Sequence, residues 1–383
     1  MPTRPGFLIG RIFGIPIYLH ASWVIVFGLI SFSLVSQFQI QHPNWSSLQH
    51  WTVGLVTSVL FFASVIFHEL CHSVVARRYK IQVISITLFV FGGLARIARD
   101  PDKAIQEFNI AAAGPVSSYF LAAVFWGTAQ LFAGQPMIAA SADYLTLINF
   151  WLATFNLLPG FPLDGGRIFR ALAWAWTKDF SRATRIAGAS GRFIAYGMIL
   201  LGIWLAAVQH QWQSGLWTAF IGWFLLNAAQ ESVAQLAVRE MLAGLRASDV
   251  MSQEIPTVPG NMPLVEYGAE VLRTGRRFHL VTTDDRLVGM MNTHALNSVP
   301  QDEWASTSVQ AAMIPRDKIL WAAPEEPLLR LLERLSTLDI NQMPVVTDGT
   351  SGTHVVGMIS RDSILRVLQA RAELGHSAAG PFR

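Results

Sequence analysis

Two histidines four residues apart, His68 and His72, flank Glu69 in the stretch FHELCHSVVARR and carry the plainest chemical signal in the chain. On a helix, positions i and i+4 share a face, so both imidazoles can reach one ion while Glu69 stands beside a bound water. Zinc suits this donor set best, because neutral imidazole ligands with an open position yield a nucleophilic water near neutral pH. The bland alternative is three buried polar residues satisfied by neighbouring helices. The surrounding stretch is apolar, however, and ionisable groups at membrane depth are costly enough to need a partner. Cys71 lies inside the motif but points elsewhere on the helix, and it reads as a small apolar packer.

Two imidazoles do not complete a catalytic zinc site, so a third protein ligand is expected from another part of the chain. The best candidate is Asp164 in FNLLPGFPLDGGR, where Pro159, Gly160 and Pro162 break a helix and Gly165 and Gly166 follow the carboxylate. Non-helical backbone at membrane depth is tolerated only when buried in protein or lining a wet cavity, so Asp164 is expected to face a polar site. The alternative is a capping or turn aspartate at the membrane surface.

Composition says which elements must position these groups. Of 383 residues 52% are apolar and 14% charged, whereas a soluble domain is about a quarter charged. That balance excludes disorder and an ordinary soluble enzyme. A single cysteine excludes a disulfide framework and a multi-cysteine metal site. The net charge of +3 is dealt out in blocks between apolar runs, a membrane pattern, and no nucleic-acid partner is expected.

Six stretches, at 17–38, 51–74, 108–132, 144–161, 191–208 and 215–236, are long enough to cross a core that needs about 20 residues. The fourth is short and broken. Arg4 and Arg11 precede the first span, Arg77, Arg78, Lys80 and Arg96 follow the second, and Arg167, Arg170 and Lys178 follow the fourth. The loops around His42, Gln135 and Gln211 hold no Lys or Arg. By the positive-inside rule both termini and the basic loops are cytoplasmic, which puts His72 and Asp164 at the same depth. The first run reads as a retained span rather than a cleaved signal, and a prokaryotic cytoplasmic membrane fits.

Residues 81–97, IQVISITLFVFGGLARI, are rich in β-branched and aromatic side chains and are interrupted by Gly92 and Gly93. They read as a re-entrant hairpin whose edge takes an unwound substrate as an added strand, or as a cytoplasmic hairpin without a substrate role. His20, His42, His50 and His210 read as interfacial or solvated, and Gly188, Gly191 and Gly197 as sites where helices approach closely.

HELCH paired with LPGFPLDGG, together with GRIFGIPIYLHASW, FGGLARI and AAAGPVSS, resembles the site-2 protease family of intramembrane zinc metalloproteases, over nearly all of the first 240 residues. The resemblance implies that His68, His72 and Asp164 bind one catalytic zinc and that Glu69 is the catalytic acid/base. It implies that Asn156 helps orient or stabilise the reacting carbonyl. The substrate would be a membrane-spanning protein, cut within or near a transmembrane segment that has locally unwound. One departure is visible: the family often has Asn shortly after its Gly-Pro, where this chain offers Ser118.

From about Ala247 charged residues return at ordinary density and a diverged repeat begins. SDVMSQEIPTV is echoed by VQAAMIPRDKILWA, and RLVGMMNTHAL by HVVGMISRDSI. The repeats, about 247–300 and 308–372, each read as strand, amphipathic helix, short strands and a final helix. They are similar to a pair of cystathionine-β-synthase (CBS) domains, a module that commonly senses adenine nucleotides. The position where family members often place a ribose-holding Asp falls here on Ala295 and Ser363, with Asp362 one place away. Adenine-nucleotide sensing and a structural role, including homodimerisation, both stay open.

The expectation is therefore a multi-pass α-helical membrane protein, with six transmembrane helices and a re-entrant β-hairpin over 1–240, plus a soluble α/β CBS-pair domain over 241–383. Its function is that of a zinc metalloendopeptidase in the lipid bilayer, modulated by the CBS pair. The competing reading is a CBS-regulated transporter or channel. That would predict symmetry between halves and polar residues facing one another along the spans, and neither is found.

Overall fold

Long apolar runs must satisfy their own backbone hydrogen bonds at membrane depth, and the helix is the local solution. The computed structural model describes residues 6–90, 92–284, 286–349 and 352–373. It divides the chain into one unit over Thr3–Leu236 and a second from Ala237 onward.

The first unit holds strands β1 (Phe7–Ile12) and β2 (Ile15–Leu19), helices α1 (Ala21–Gln41) and α2 (Ser47–Arg78), and strands β3 (Val83–Phe89) and β4 (Gly92–Ile97). Helices α3 (Ala104–Leu131), α4 (Pro136–Asn156), α5 (Asp164–Thr177), α6 (Phe180–Ala207) and α7 (Trp212–Leu242) follow, the last running past the end of the unit. Among the described residues, α1, α2, α3, α4 and α6 are long and apolar enough to cross a membrane. The protein is thus multi-pass. Helix α7 covers the sixth expected span, but Asn227, Gln230, Glu231 and Gln235 dilute its apolar character and it falls outside that set.

Several boundaries differ from the sequence expectation, among them the start of α6 at Phe180 rather than residue 191, and three differences have a local reason. The first helix starts at Ala21 rather than residue 17, because Ile15–Leu19 pairs antiparallel with β1 and parallel with β3. His20 then caps α1, its Nδ1 accepting from the Ser22 amide at 3.2 Å. The fourth helix begins earlier, at Pro136, which suits a first helical turn, and it stops at Asn156. The expected hairpin exists as β3 and β4, but it is half of a four-stranded sheet of order β1-β2-β3-β4. The partner hairpin escaped sequence reading because Gly10, Arg11, Gly14 and Pro16 interrupt its apolar alternation. In the assembled sheet β1 and β4 are the edge strands.

Helix α2 carries the two histidines and is defined at both ends. Ser46 and Gln49 form a capping box, with the Gln49 side chain accepting from the Ser46 amide at 2.8 Å and Ser46 Oγ from the Gln49 amide at 3.3 Å. Arg77 and Arg78 occupy its last turn, where cations complement the negative end of the helix dipole. Arg77 also donates to the Phe13 carbonyl, tying that end to the β1–β2 turn. Near the other end His50, expected to be interfacial or solvated, is buried, and its Nε2 lies 3.0 Å from the His42 carbonyl. His42 stacks on Trp45.

The second unit contains α8 (Ala247–Val250), β5 (Thr257–Pro259), α9 (Leu264–Thr274), β6 (Phe278–Thr283), β7 (Arg286–Asn292) and α10 (Thr293–Asn297). It continues with α11 (Val309–Ala312), β8 (Ile314–Pro315), α12 (Leu328–Thr337), β9 (Gln342–Gly349), β10 (Gly352–Ser360) and α13 (Arg361–Glu373). The repeats are exchanged at their leading segments. Strand β8, which follows α11, pairs with β7 of the first repeat, while Ser252, which follows α8, bridges to Met358 in β10 of the second. Each repeat thus completes the other's sheet. Three apolar clusters result among the described residues, the first around Leu328, Leu331, Val345 and Ile359, the second around Leu264, Tyr267, Val281 and Met291, and a smaller third around Leu280, Met290 and Ile319. In the second, the Tyr267 hydroxyl donates to the Met291 carbonyl at 3.1 Å and lies 3.3 Å from His279 Nδ1. Burial raises the Tyr267 pKa and lowers that of His279, so both stay neutral near pH 7 and the pair is held without buried charge.

Candidate metal centre

The three expected ligands converge although 96 residues separate His68 from Asp164. His68 and His72 lie one above the other on the buried face of α2, and Asp164 is the first residue of α5. Asp164 Oδ2 lies 3.1 Å from His68 Nε2 and 3.2 Å from His72 Nε2, and the two nitrogens are 3.1 Å apart. Among the described residues this is the one cluster of three or more His, Cys, Asp or Glu whose donor atoms approach closely enough to share a metal ion.

What the imidazoles touch on their other side fixes what they offer to the centre. His72 Nδ1 lies 2.6 Å from the carbonyl of Ile110, which can only accept, so Nδ1 carries a proton and Nε2 is the nitrogen turned toward the centre. His68 Nδ1 lies 2.9 Å from Ser118 Oγ, and a hydroxyl accepting there leaves Nε2 facing the centre in the same way. Two imidazole nitrogens and a carboxylate oxygen therefore meet at one point. Such a donor set suits a cation. A tetrahedral zinc with ligand bonds of about 2.0–2.1 Å separates its donors by about 3.3–3.4 Å, close to the triangle of 3.1, 3.1 and 3.2 Å found here. Oxygen-preferring cations with six or more ligands suit two imidazoles poorly.

Helix α3 supplies the back wall. It contributes Ile110, Ser118 and Gly114, and a Cβ at Gly114 would fall 2.1 Å from His72 Nε2 and 2.4 Å from His68 Nε2. Glycine is what lets this backbone close over the imidazoles. Ser118 is fully buried, and outer partners that orient a metal-binding imidazole are worth about 10–100-fold in metal affinity. Ser118→Ala is expected to weaken zinc binding by about that factor, read by competition with a zinc chelator. Unchanged affinity would show that the hydroxyl does not steady His68.

The turn that presents Asp164 is clamped from two sides. A Cβ at Gly165 would fall 2.2 Å from the Leu157 carbonyl oxygen, and one at Gly166 would fall 2.4 Å from the Gly160 carbonyl carbon. The two glycines let the turn fold back on the start of α5. On the other flank Gly191 of α6 packs against the Phe161 backbone, and Ser190 Oγ donates to the Pro159 carbonyl. Of the other small residues expected at close approaches, Gly188 abuts Val233, whereas Gly197 faces open space. Helix α5 is held against α3 by Arg170, whose Nε donates to Glu107 Oε1 at 2.8 Å. The Arg170 guanidinium also lies over the rings of Phe161 and Phe180. Glu107 is fully buried, so this pair fixes the register of the Asp164 helix.

Glu69 and Asn156 lie outside the donor triangle. Glu69 is half-buried beside it on α2, and strand β4 closes over it, since a Cβ at Gly93 would meet its Cγ at 2.5 Å. Asn156 is half-buried as the last residue of α4, directly before the clamped turn. Cys71 is half-buried with a free thiol. Sequence reading missed Ile110, Gly114, Glu107 and Arg170. Ser118 was visible to it only as a departure from a family pattern.

The family model described as peptidase family M50 matches residues 56–144 and 133–198, and that of the CBS domain matches 311–370. The chain is 33% identical over 370 residues to Rip3 of Mycobacterium tuberculosis, which bears a zinc metalloprotease name, covering 95% of this chain and 93% of that one. It is also 33% identical over 373 residues to sll0528 of Synechocystis, named in the same way, with 95% and 96% covered. A solved structure, the site-2 protease from Methanocaldococcus jannaschii, matches at 28% identity and a TM-score of 0.41, covering 59% of this chain and 94% of that one.

Proposed function

Because the chain belongs to the M50 peptidases and is an intramembrane zinc metalloprotease, we propose that His68, His72 and Asp164 hold its catalytic zinc and that Glu69 is its general acid/base. The observation that carries this reading is the convergence of two imidazole nitrogens and one carboxylate oxygen within 3.1–3.2 Å of one another. When bound, zinc supplies a Lewis acid and makes hydroxide available near neutral pH. The Glu69 carboxylate takes the proton from the attacking water and returns it to the leaving amide nitrogen. The Asn156 amide donates a hydrogen bond to the carbonyl oxygen as negative charge develops on it. The walls formed by α3 and β4 keep bulk water away from Glu69.

The substrate is a membrane-spanning segment cut after it unwinds, because a peptide bond inside a helix is shielded by its own hydrogen bonds. Strand β4 suits the unwound segment: it is an edge strand, and its Gly93 backbone lies against Glu69. Successive strand residues point their amides to opposite sides, so proline at Leu94 and proline at Ala95 test the two sides separately. One of the two is expected to stop cleavage with zinc still bound. Full cleavage by both variants would exclude β4 as the docking edge. We further assign both termini and the basic loops to the cytoplasmic face, with α7 as the sixth span, on the distribution of Lys and Arg.

The whole reading is tested on purified protein with a membrane-embedded reporter segment. Removal of metal by a chelator is expected to abolish cleavage, and added Zn2+ to restore it. Cleavage that persists without metal would refute the assignment.

Asp362, one place from the expected ribose position of the second repeat, is exposed. Ala295 is buried and offers no oxygen, and the Ser363 hydroxyl is committed to Ser360, donating to its carbonyl at 2.8 Å. No step of the reaction is routed through an adenine nucleotide.

A further inference from the structure

On the flank of the α2–α3 pair lies a cavity of about 540 Å³ that takes no part in the donor triangle. Its two ends differ in chemistry. Arg78, Tyr79 and Asn109 line one end, and Ala112, Ala113 and Val116 line the other. The polar end belongs to the last turn of α2 and the residue after it, where the helix leaves its apolar run. The apolar end runs along α3 toward Val116 and Phe120, which are 66% and 60% exposed on a helix apolar enough to cross the membrane. The small side chains of Ala112 and Ala113 open the groove between the helices, and it is continuous with the surface that faces lipid.

We propose that this groove is a binding site for one anionic phospholipid, phosphate at Arg78 and Tyr79, acyl chain along Ala112, Ala113 and Val116. The polar end is built for a phosphodiester. Asn109 Nδ2 donates to the Tyr79 hydroxyl oxygen at 2.6 Å, which occupies that oxygen as an acceptor and turns its proton outward as a donor. Arg78 adds an exposed guanidinium, while its neighbour Arg77 is already engaged with the Phe13 carbonyl. No carboxylate is among the residues that line the groove, and donors in such a setting select an anion. The volume falls within the range of about 300–1,000 Å³ usual for small-molecule sites.

A lipid here lies behind the metal centre. Asn109 immediately precedes Ile110, whose carbonyl takes the His72 proton, and Tyr79 lies two helical turns beyond His72. The occupant therefore touches both helices that hold that imidazole.

The test uses the full chain in nanodiscs of phosphatidylcholine alone or with phosphatidylglycerol, lipid retention being measured by native mass spectrometry. The wild-type protein is expected to retain phosphatidylglycerol at least about fivefold over phosphatidylcholine, the effect of one basic side chain at an anionic surface. The double variant Arg78→Gln, Tyr79→Phe is expected to lose that preference with its zinc content unchanged, which shows it folded. Lys80→Gln, which alters a nearby exposed cation outside the groove, is expected to keep it. Ala113→Leu, which fills the apolar end, is expected to lower retention with the polar end intact. Equal retention of the two lipids by the wild type overturns the site, as does a preference that survives the double variant. Full displacement of the lipid by inorganic phosphate would show that the site takes a free anion, and would likewise overturn it. None of these readouts uses proteolysis, so failure here leaves the protease reading untouched.

Discussion

Glu69→Gln is expected to leave one zinc per chain and to lower cleavage of a membrane-embedded reporter by about 10²–10⁴-fold, the usual contribution of a general acid/base. Glutamine keeps the shape of glutamate but cannot accept a proton. Glu69 stands outside the triangle formed by His68, His72 and Asp164, so removing its charge takes no ligand from the metal. It also keeps the contact with β4, because the amide fills the space of the carboxylate next to Gly93. Zinc content by metal analysis and cleavage by gel separate the outcomes. Cleavage at the wild-type rate would remove Glu69 from the reaction, and loss of zinc together with cleavage would make it a ligand. His68→Ala is the contrast, since it is expected to reduce zinc content itself.

Gly114→Ala is expected to empty the centre of zinc, with a loss of affinity well above the about 10–100-fold assigned to a lost outer partner. The added methyl would overlap both imidazoles, falling 2.1 Å from His72 Nε2 and 2.4 Å from His68 Nε2. Neither ring is free to retreat, because His72 Nδ1 is held at Ile110 and His68 Nδ1 at Ser118. The substitution is informative because alanine is the better helix former, by about 1 kcal/mol. Helix α3 itself should therefore not suffer. Circular dichroism is expected to show unchanged helix content while metal analysis shows the site empty. Full zinc loading would mean that α3 stands farther from α2 than the contacts indicate.

Much of this was legible in one dimension because the relevant physics is local. His68 and His72 share a face through helical periodicity alone, and the prolines and glycines around Asp164 announce a break wherever they occur. Apolar runs declare membrane helices by length. Strands were harder. The β1–β2 hairpin went unseen because Gly10, Arg11, Gly14 and Pro16 interrupt its alternation, and its pairing with β3, about 70 residues away, is not written in either segment. The sixth expected span is a helix in the structure, yet its polar residues keep it from qualifying on hydropathy.

The amino-acid sequence determined the donor types, their spacing on α2 and the chemistry they imply, since these depend on residue identity and backbone period. Tertiary structure alone decided that Ile110 and Ser118 aim the imidazoles, that Gly114 lets α3 close on them, and that Glu107 and Arg170 set the register of the helix bearing Asp164. It also decided the exchange of leading segments between the two repeats. The reason is the same in each case. These are contacts between segments tens of residues apart, and their energy exists only once packing has brought the two sides within a few ångströms.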